Sequence, residues 1–151
     1  IAQLEKYNFT YDLLILPIHL PFAVNFVKRF PKQNFVIDHL AKPNFKANDF
    51  SEWERGISEL ALHKNVYCKV SGMVTEADWK NWKAADFNYC LDVLVSNFGI
   101  DRLMFGSDWP VSLLAASYEE STAIVKNYFS KFSRQDQDKI WGANAMKFYN
   151  L

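Results

Sequence analysis

His39 and Asp108 are the residues of this 151-residue chain best suited, by type and place, to activate water. His39 lies near the close of Asn34 to Leu40 (NFVIDHL), an apolar run of the length of a buried strand. An imidazole at a strand end can bind a metal through a neutral ring nitrogen or make a polar contact to substrate. Its plainer alternative is a core histidine satisfied by backbone groups. Side chains alternate along a strand, which puts Phe35, Ile37 and His39 on one face and Val36, Asp38 and Leu40 on the other. Asp38 is then not expected to orient the His39 ring. Asp108 follows a second such run, Arg102 to Ser107 (RLMFGS), next to a small Gly106 and ahead of Trp109-Pro110. A carboxylate there suits a metal ligand or a general base for water, against the alternative of a turn or helix-capping aspartate.

Other polar residues end or line similar runs. His19 follows Leu13 to Ile18 and can cap the next helix or contact a ligand. Lys69, in Asn65 to Val70 (NVYCKV), shares a strand face with Tyr67 and Ser71. A lysine inside a parallel sheet is costly unless paired, so it binds a substrate carboxylate or carbonyl or, the structural reading favoured here, pairs with an acidic neighbour such as Asp38. His63 stands at a helix end beside Lys64 and reads as solvated. Ser107 sits in FGSDW, not in the GxSxG turn of a serine nucleophile. Cys68 falls in mid-strand and reads as packing, and no strand is followed by GxGxxG or GxxxxGK[ST].

These side chains need a scaffold that brings strand ends together. Short apolar runs at Leu13–Leu16, Asn34–Leu40, Asn65–Val70 and Arg102–Phe105 alternate with segments of helical period. The helical stripes are Phe22, Ala23, Phe26, Val27, Phe30, then Trp53, Ile57, Leu60, Ala61, then Phe87, Leu91, Leu94, Val95, Phe98. Two more follow, through Ile124, Val125, Phe129 and through Ile140, Ala143, Met146. Asp49 with Glu52, Ser117 with Glu120 and Ser133 with Asp136 have helix-start spacing, and Gly99 suits a helix end. Strands without polar alternation, separated by helices, indicate an α/β fold with a parallel sheet. Either an open doubly wound sheet or part of a (β/α)₈ barrel fits; a whole barrel takes about 250 residues, so four strands and a terminal helix amount to its C-terminal half. Such a half leaves two open sheet edges.

Composition narrows the function. Lys plus Arg is 17 and Asp plus Glu is 17, so nothing favours nucleic acid or an anionic membrane surface as partner. No apolar run approaches the roughly 20 residues of a spanning helix. Two cysteines, Cys68 and Cys90, read as buried free thiols. The chain opens on Ile1, and Ile1 to Tyr7 reads as the tail of a helix, so the natural N-terminus is expected to be missing and the lack of a signal peptide does not decide the compartment. A cytoplasmic location is the working expectation.

Taken together, Val36 to Pro43 (VIDHLAKP), Val66 to Met73 (VYCKVSGM), Phe98 to Val111 (FGIDRLMFGSDWPV) and Asn144 to Leu151 (NAMKFYNL) resemble the amidohydrolase-2 family. More narrowly they resemble its sugar-acid lactonase branch, L-fuconolactonase-like proteins included. The resemblance implies a (β/α)₈ barrel of which residues 1–151 are one partial domain, strands five to eight, with the N-terminal half absent. It implies that His39 and Asp108 occupy the family's sixth- and eighth-strand positions. They would help hold a divalent metal, often zinc, or act without one, Asp108 taking a proton from water as it attacks a lactone carbonyl. Candidate substrate contacts are His19, Lys69, Ser107 and Trp109, the last as an apolar wall against a sugar ring. The first-strand His-x-His of the family has no counterpart, so the metal site is incomplete, since catalytic zinc sites use three protein ligands. The competing readings are a catalytically incomplete half-barrel and a small doubly wound ligand-binding domain.

Overall fold

The computed structural model describes residues 1–151. In chain order the elements are α1 (Ala2–Lys6), β1 (Tyr11–Leu13), α2 (Leu20–Lys28), β2 (Phe35–Ile37), α3 (Ser51–Ala61), β3 (Val66–Val70), α4 (Met73–Glu76), α5 (Asn88–Phe98), β4 (Leu103–Phe105), α6 (Tyr118–Phe129), α7 (Arg134–Asp138) and α8 (Asn144–Tyr149), with a wide π-turn over Lys139–Ala143 joining the last two. No helix is long and apolar enough to cross a membrane.

The four strands form one parallel sheet in the order β1-β2-β3-β4. That order has no reversal, and α2, α3, α5 and α6 all join one core against one face of the sheet. A doubly wound sheet needs a reversal and helices on both faces, so that alternative is excluded. The register Tyr11↔Phe35, Phe35↔Val66 and Cys68↔Leu103 puts Leu13, Phe35, Ile37, Val66, Cys68, Val70 and Leu103 on the helix side, all buried in one continuous apolar core. The opposite face carries Asp12, Val36, Tyr67, Lys69 and Met104. There Phe148 of α8 covers Val36 and Met104 and lies 4.8 Å, ring to ring, from Tyr67.

The first strand is shifted from the sequence expectation. Pairing runs Tyr11↔Phe35 to Leu13↔Ile37 and stops where β2 stops, so Leu14 and Leu16 are exposed. The helix-start signals divide. Ser117 and Glu120 form the reciprocal pair, Glu120 N donating to Ser117 Oγ at 3.1 Å and Ser117 N to Glu120 Oε2 at 2.8 Å. Ser133 Oγ likewise accepts from Asp136 N at 3.1 Å. Asp49 instead accepts from Ser51 N at 3.1 Å and forms a local turn ahead of α3, because Phe50, not Asp49, occupies the cap position. Gly99 ends α5 with φ of 66°, its amide bonded to Val95 O at 3.0 Å.

The N-terminal ends of β3 and β4 are tied by side chains to backbone. The Arg102 guanidinium donates to His63 O (3.0 Å), Val66 O (3.1 Å), Asn97 O (3.2 Å) and Phe98 O (3.2 Å). Asn144 Nδ2 donates to Ile100 O and Leu103 O, both at 2.7 Å. The other ends of the strands are free to carry a site.

Candidate active site

At the C-terminal ends of β2 and β4, His39 Nε2 and Asp108 Oδ1 face each other at 3.6 Å. Neither is reached by an ordinary strand. Beyond Ile37 the backbone enters a left-handed turn, with φ of 52° at His39, 55° at Leu40, 57° at Ala41 and 54° at Lys42. Asp108 is also left-handed, at 55°. Each such non-glycine residue costs about 1–2 kcal/mol, so the surrounding structure must hold it. Leu40 and Ala41 are fully buried, Trp53 Nε1 donates to Leu40 O at 2.6 Å, and Lys42 N donates to His39 O at 2.6 Å. Lys42 Nζ pairs with Glu76 at 2.6 Å. This turn overturns the strict alternation expected through Leu40. β2 ends three residues earlier, and His39 leaves the face of Phe35 and Ile37 to point along the rim.

The pair is braced. Ser71 Oγ lies 2.8 Å from His39 Nδ1. Thr75 Oγ1 donates to Asp108 Oδ2 at 3.1 Å. Neither Ser71 nor Thr75 was singled out as a site residue from sequence. Ser71 had a faint signal, a hydroxyl before a glycine at a strand end; Thr75 had none, because Met73 to Asp86 shows no period.

Lys69 sits on the open face of the sheet with Nζ 2.6 Å from Asp12 Oδ2 and 2.7 Å from Asp38 Oδ1. The Asp38 contact is an ion pair whose angle does not suit a directed hydrogen bond. Burial pulls the Lys69 pKa down, but Asp12, Asp38 and Tyr149 outweigh it and hold the ammonium above the ordinary lysine range. Tyr149 Oη donates to Asp12 Oδ2 at 2.9 Å, which ties α8 into this cluster. Asp38 is thus committed to Lys69, not to His39. His19 Nδ1 accepts from Leu16 N at 3.1 Å, the helix-start option, and is not joined to the pair. Ser107 Oγ accepts from Trp109 N at 3.2 Å, and the Trp109 ring is exposed beside Asp108 in sequence. A cavity of about 620 Å³ flanks the rim on the Lys42–Glu76 side, lined also by Pro17, Ile18 and Trp53, and includes neither His39 nor Asp108.

Both cysteines are free and buried. Burial pushes the Cys68 thiol far up and the Cys90 thiol up to about 12, which removes both as thiolate nucleophiles. No three His, Cys, Asp or Glu side chains converge as a complete metal cage. His39 and Asp108 nevertheless fit two places of one. Nε2 faces Oδ1 across the rim, and Nδ1 already has the outer partner that a ligating histidine needs.

The family described as amidohydrolase matches residues 1–151. The chain is 39% identical to an L-fucono-1,5-lactonase of Burkholderia multivorans, a match covering 100% of this chain and 54% of that protein. It is 35% identical to an L-fucono-1,5-lactonase of Burkholderia ambifaria, covering 100% and 53% respectively. Among solved structures, a crystal structure of a Burkholderia multivorans amidohydrolase with bound Zn superposes with a TM-score of 0.94 at 39% identity, covering 99% of this chain and 55% of that one. The chain spans about half the length of the curated relatives it matches. Its four-stranded sheet is one half of a TIM-barrel-type fold.

Proposed function

Because the chain belongs to the amidohydrolase family, we propose that the protein carrying it opens a lactone of a sugar acid by attack of water on the ester carbonyl. The single observation that carries this is the imidazole and carboxylate facing each other at 3.6 Å on the rim where parallel α/β folds place their chemistry. Asp108 Oδ1 accepts the proton as water attacks, a role for which a positioned carboxylate contributes about 10²- to 10⁴-fold. His39 steadies the oxygen on which charge develops, through Nε2. Trp109 offers its exposed ring as an apolar wall to the sugar, with Ser107 holding its backbone. His19 is kept as a candidate substrate contact with its Nδ1 bonded to Leu16 N, and Lys69 acts by fixing Asp38, the residue before His39. The lactonase names of the two Burkholderia relatives support a sugar-acid substrate.

On this reading residues 1–151 supply strands five to eight of the barrel. A divalent cation, zinc as in the solved relative, would be held by His39 and Asp108 together with ligands outside these residues; when bound it supplies Lewis-acid polarisation of the carbonyl. The two free cysteines suit a reducing, cytoplasmic compartment. Asp108→Asn in the full enzyme, assayed on L-fucono-1,5-lactone, is expected to lower kcat by about 10²- to 10⁴-fold with the fold intact by circular dichroism. Near-normal turnover would remove Asp108 from the mechanism.

One observation favours a second reading for these residues taken alone. β1 and β4 are unpaired edges, flanked by exposed Leu14, Ile18 and Phe22 on one side and Val111, Leu113 and Leu114 on the other. With only two metal-type ligands, residues 1–151 by themselves form an incomplete half-barrel that works only with further strands. Sedimentation of this segment separates the cases: a dispersed, active monomer rules the second reading out.

A further inference from the structure

The segment leaving β3 touches both members of the pair, and from opposite sides. Ser71 is 4% exposed, and its Oγ meets His39 Nδ1 at 2.8 Å. Four residues on, in the short α4, Thr75 Oγ1 lies 3.1 Å from Asp108 Oδ2 and 3.0 Å from Gly72 O. Gly72 itself has φ of 65°, and a Cβ there would come within 2.7 Å of His39 Cγ and Nδ1. Only glycine lets the backbone pass so close to the ring. From the other side, a Cβ on Gly106 would stand 3.0 Å from Ser71 Cβ, so the strand end leading to Asp108 closes on Ser71.

We propose that Ser71 to Thr75 is the positioning element of the site, Ser71 fixing the His39 ring through Nδ1 and Thr75 fixing the Asp108 carboxylate through Oδ2, which leaves Nε2 and Oδ1 to face each other. The kinetic consequence rests on the reading of His39 and Asp108 as the working pair; the structural consequence does not.

The choice of a hydroxyl at Nδ1 has chemical content. A carboxylate or carbonyl in that place accepts only, and would keep the imidazole proton on Nδ1. A serine both donates and accepts. With the proton on Nε2, Ser71 donates to Nδ1 and the ring offers a hydrogen bond to an oxyanion. With the proton on Nδ1, Ser71 accepts it and Nε2 is bare for a cation. Ser71 therefore holds the ring's orientation in both tautomers. Thr75 has one proton for two acceptors, Gly72 O and Asp108 Oδ2. The carboxylate bond is charge-assisted and is the stronger.

The test uses the full enzyme labelled with ¹⁵N-histidine, the ring signals of His39, His19 and His63 being assigned by the set lost in His39→Gln, His19→Gln and His63→Gln respectively. In Ser71→Ala the His39 ring nitrogens move, those of His19 and His63 stay, and kcat on L-fucono-1,5-lactone falls by about 10- to 100-fold with KM little changed. Thr75→Val, which keeps the shape and drops the hydroxyl, lowers kcat and leaves the His39 nitrogens in place, and Thr75→Ser restores turnover. Should Ser71→Ala not fold, Ser71→Cys carries the same readout. Unmoved His39 nitrogens in a folded Ser71 variant, or wild-type kcat in Thr75→Val, overturns the proposal. Moved nitrogens in a protein that opens no lactone would retire the lactonase reading and leave the positioning role standing.

Discussion

At the N-terminal ends of β3 and β4, Arg102 and Asn144 bond to backbone; at the C-terminal ends of β2 and β4, His39 and Asp108 are held by other side chains. Arg102 and Asn144 spend their donors on six carbonyl oxygens of the segments around β3 and β4, at 2.7 to 3.2 Å. The backbone there has positive φ only at Gly99, where no Cβ is strained. At the other end His39, Asp108, Ser71 and Thr75 pair side chain to side chain, and the chain at His39 to Lys42 and at Asp108 is left-handed. One end is built to hold the sheet, and the other accepts strain to aim a pair of groups. The same division separates the two faces of the sheet. Phe35, Ile37, Val66, Cys68 and Leu103 are fully buried on the helix side, whereas the open side carries the Asp12–Lys69–Asp38 cluster.

If the lower end carries stability and little chemistry, its residues should change unfolding without changing turnover. Arg102→Met strands the carbonyls of His63, Val66, Asn97 and Phe98, and is expected to lower the unfolding free energy by about 3–5 kcal/mol in urea. The kcat of the folded fraction should stay at the wild-type level. A large loss of kcat at unchanged stability would erase the distinction between the ends. Asn144→Ala removes two bonds from a buried side chain and should cost about 1–3 kcal/mol, again with turnover intact.

Much of this division was readable in the residues. The alternation of apolar runs with helical stripes gave a parallel α/β sheet covered by helices, because buried parallel strands are uniformly apolar and the crossover helices are amphipathic. It left a doubly wound sheet and a half-barrel both open, and only the family resemblance pointed to the half-barrel. His39 and Asp108 stood out because each ends such a run. The pairing of Lys69 with Asp38 followed from the cost of an unpaired buried ammonium, whereas Asp12 was hidden by the misplaced first strand. The left-handed turn was not readable. His39-Leu40-Ala41-Lys42 has no glycine or asparagine to announce positive φ, and what holds it is distant in sequence, chiefly the Trp53 indole on α3. Thr75 was invisible for a related reason, since a four-residue helix leaves no period.

Between the two ends lies Lys69, and its titration sharpens where the boundary falls. Its folded pKa is raised above the unfolded value of about 10.4, despite burial, by Asp12, Asp38 and Tyr149. A group that binds its proton more tightly when folded contributes stability in full below the unfolded pKa and loses it as pH rises toward the folded one. Tyr149, whose pKa burial also raises, acts in the same direction. The buried thiols of Cys68 and Cys90 do likewise, so wild-type alkaline loss alone does not isolate the lysine. The informative quantity is the unfolding free energy of wild type minus that of Lys69→Met, measured from pH 8 to pH 11. It should be positive and flat up to about pH 10 and shrink above it. A difference that stays flat through pH 11 would mean that the cluster holds Lys69 by packing against Tyr149 and not by charge. The open face would then be apolar in its energetics and would belong with the structural half of the molecule.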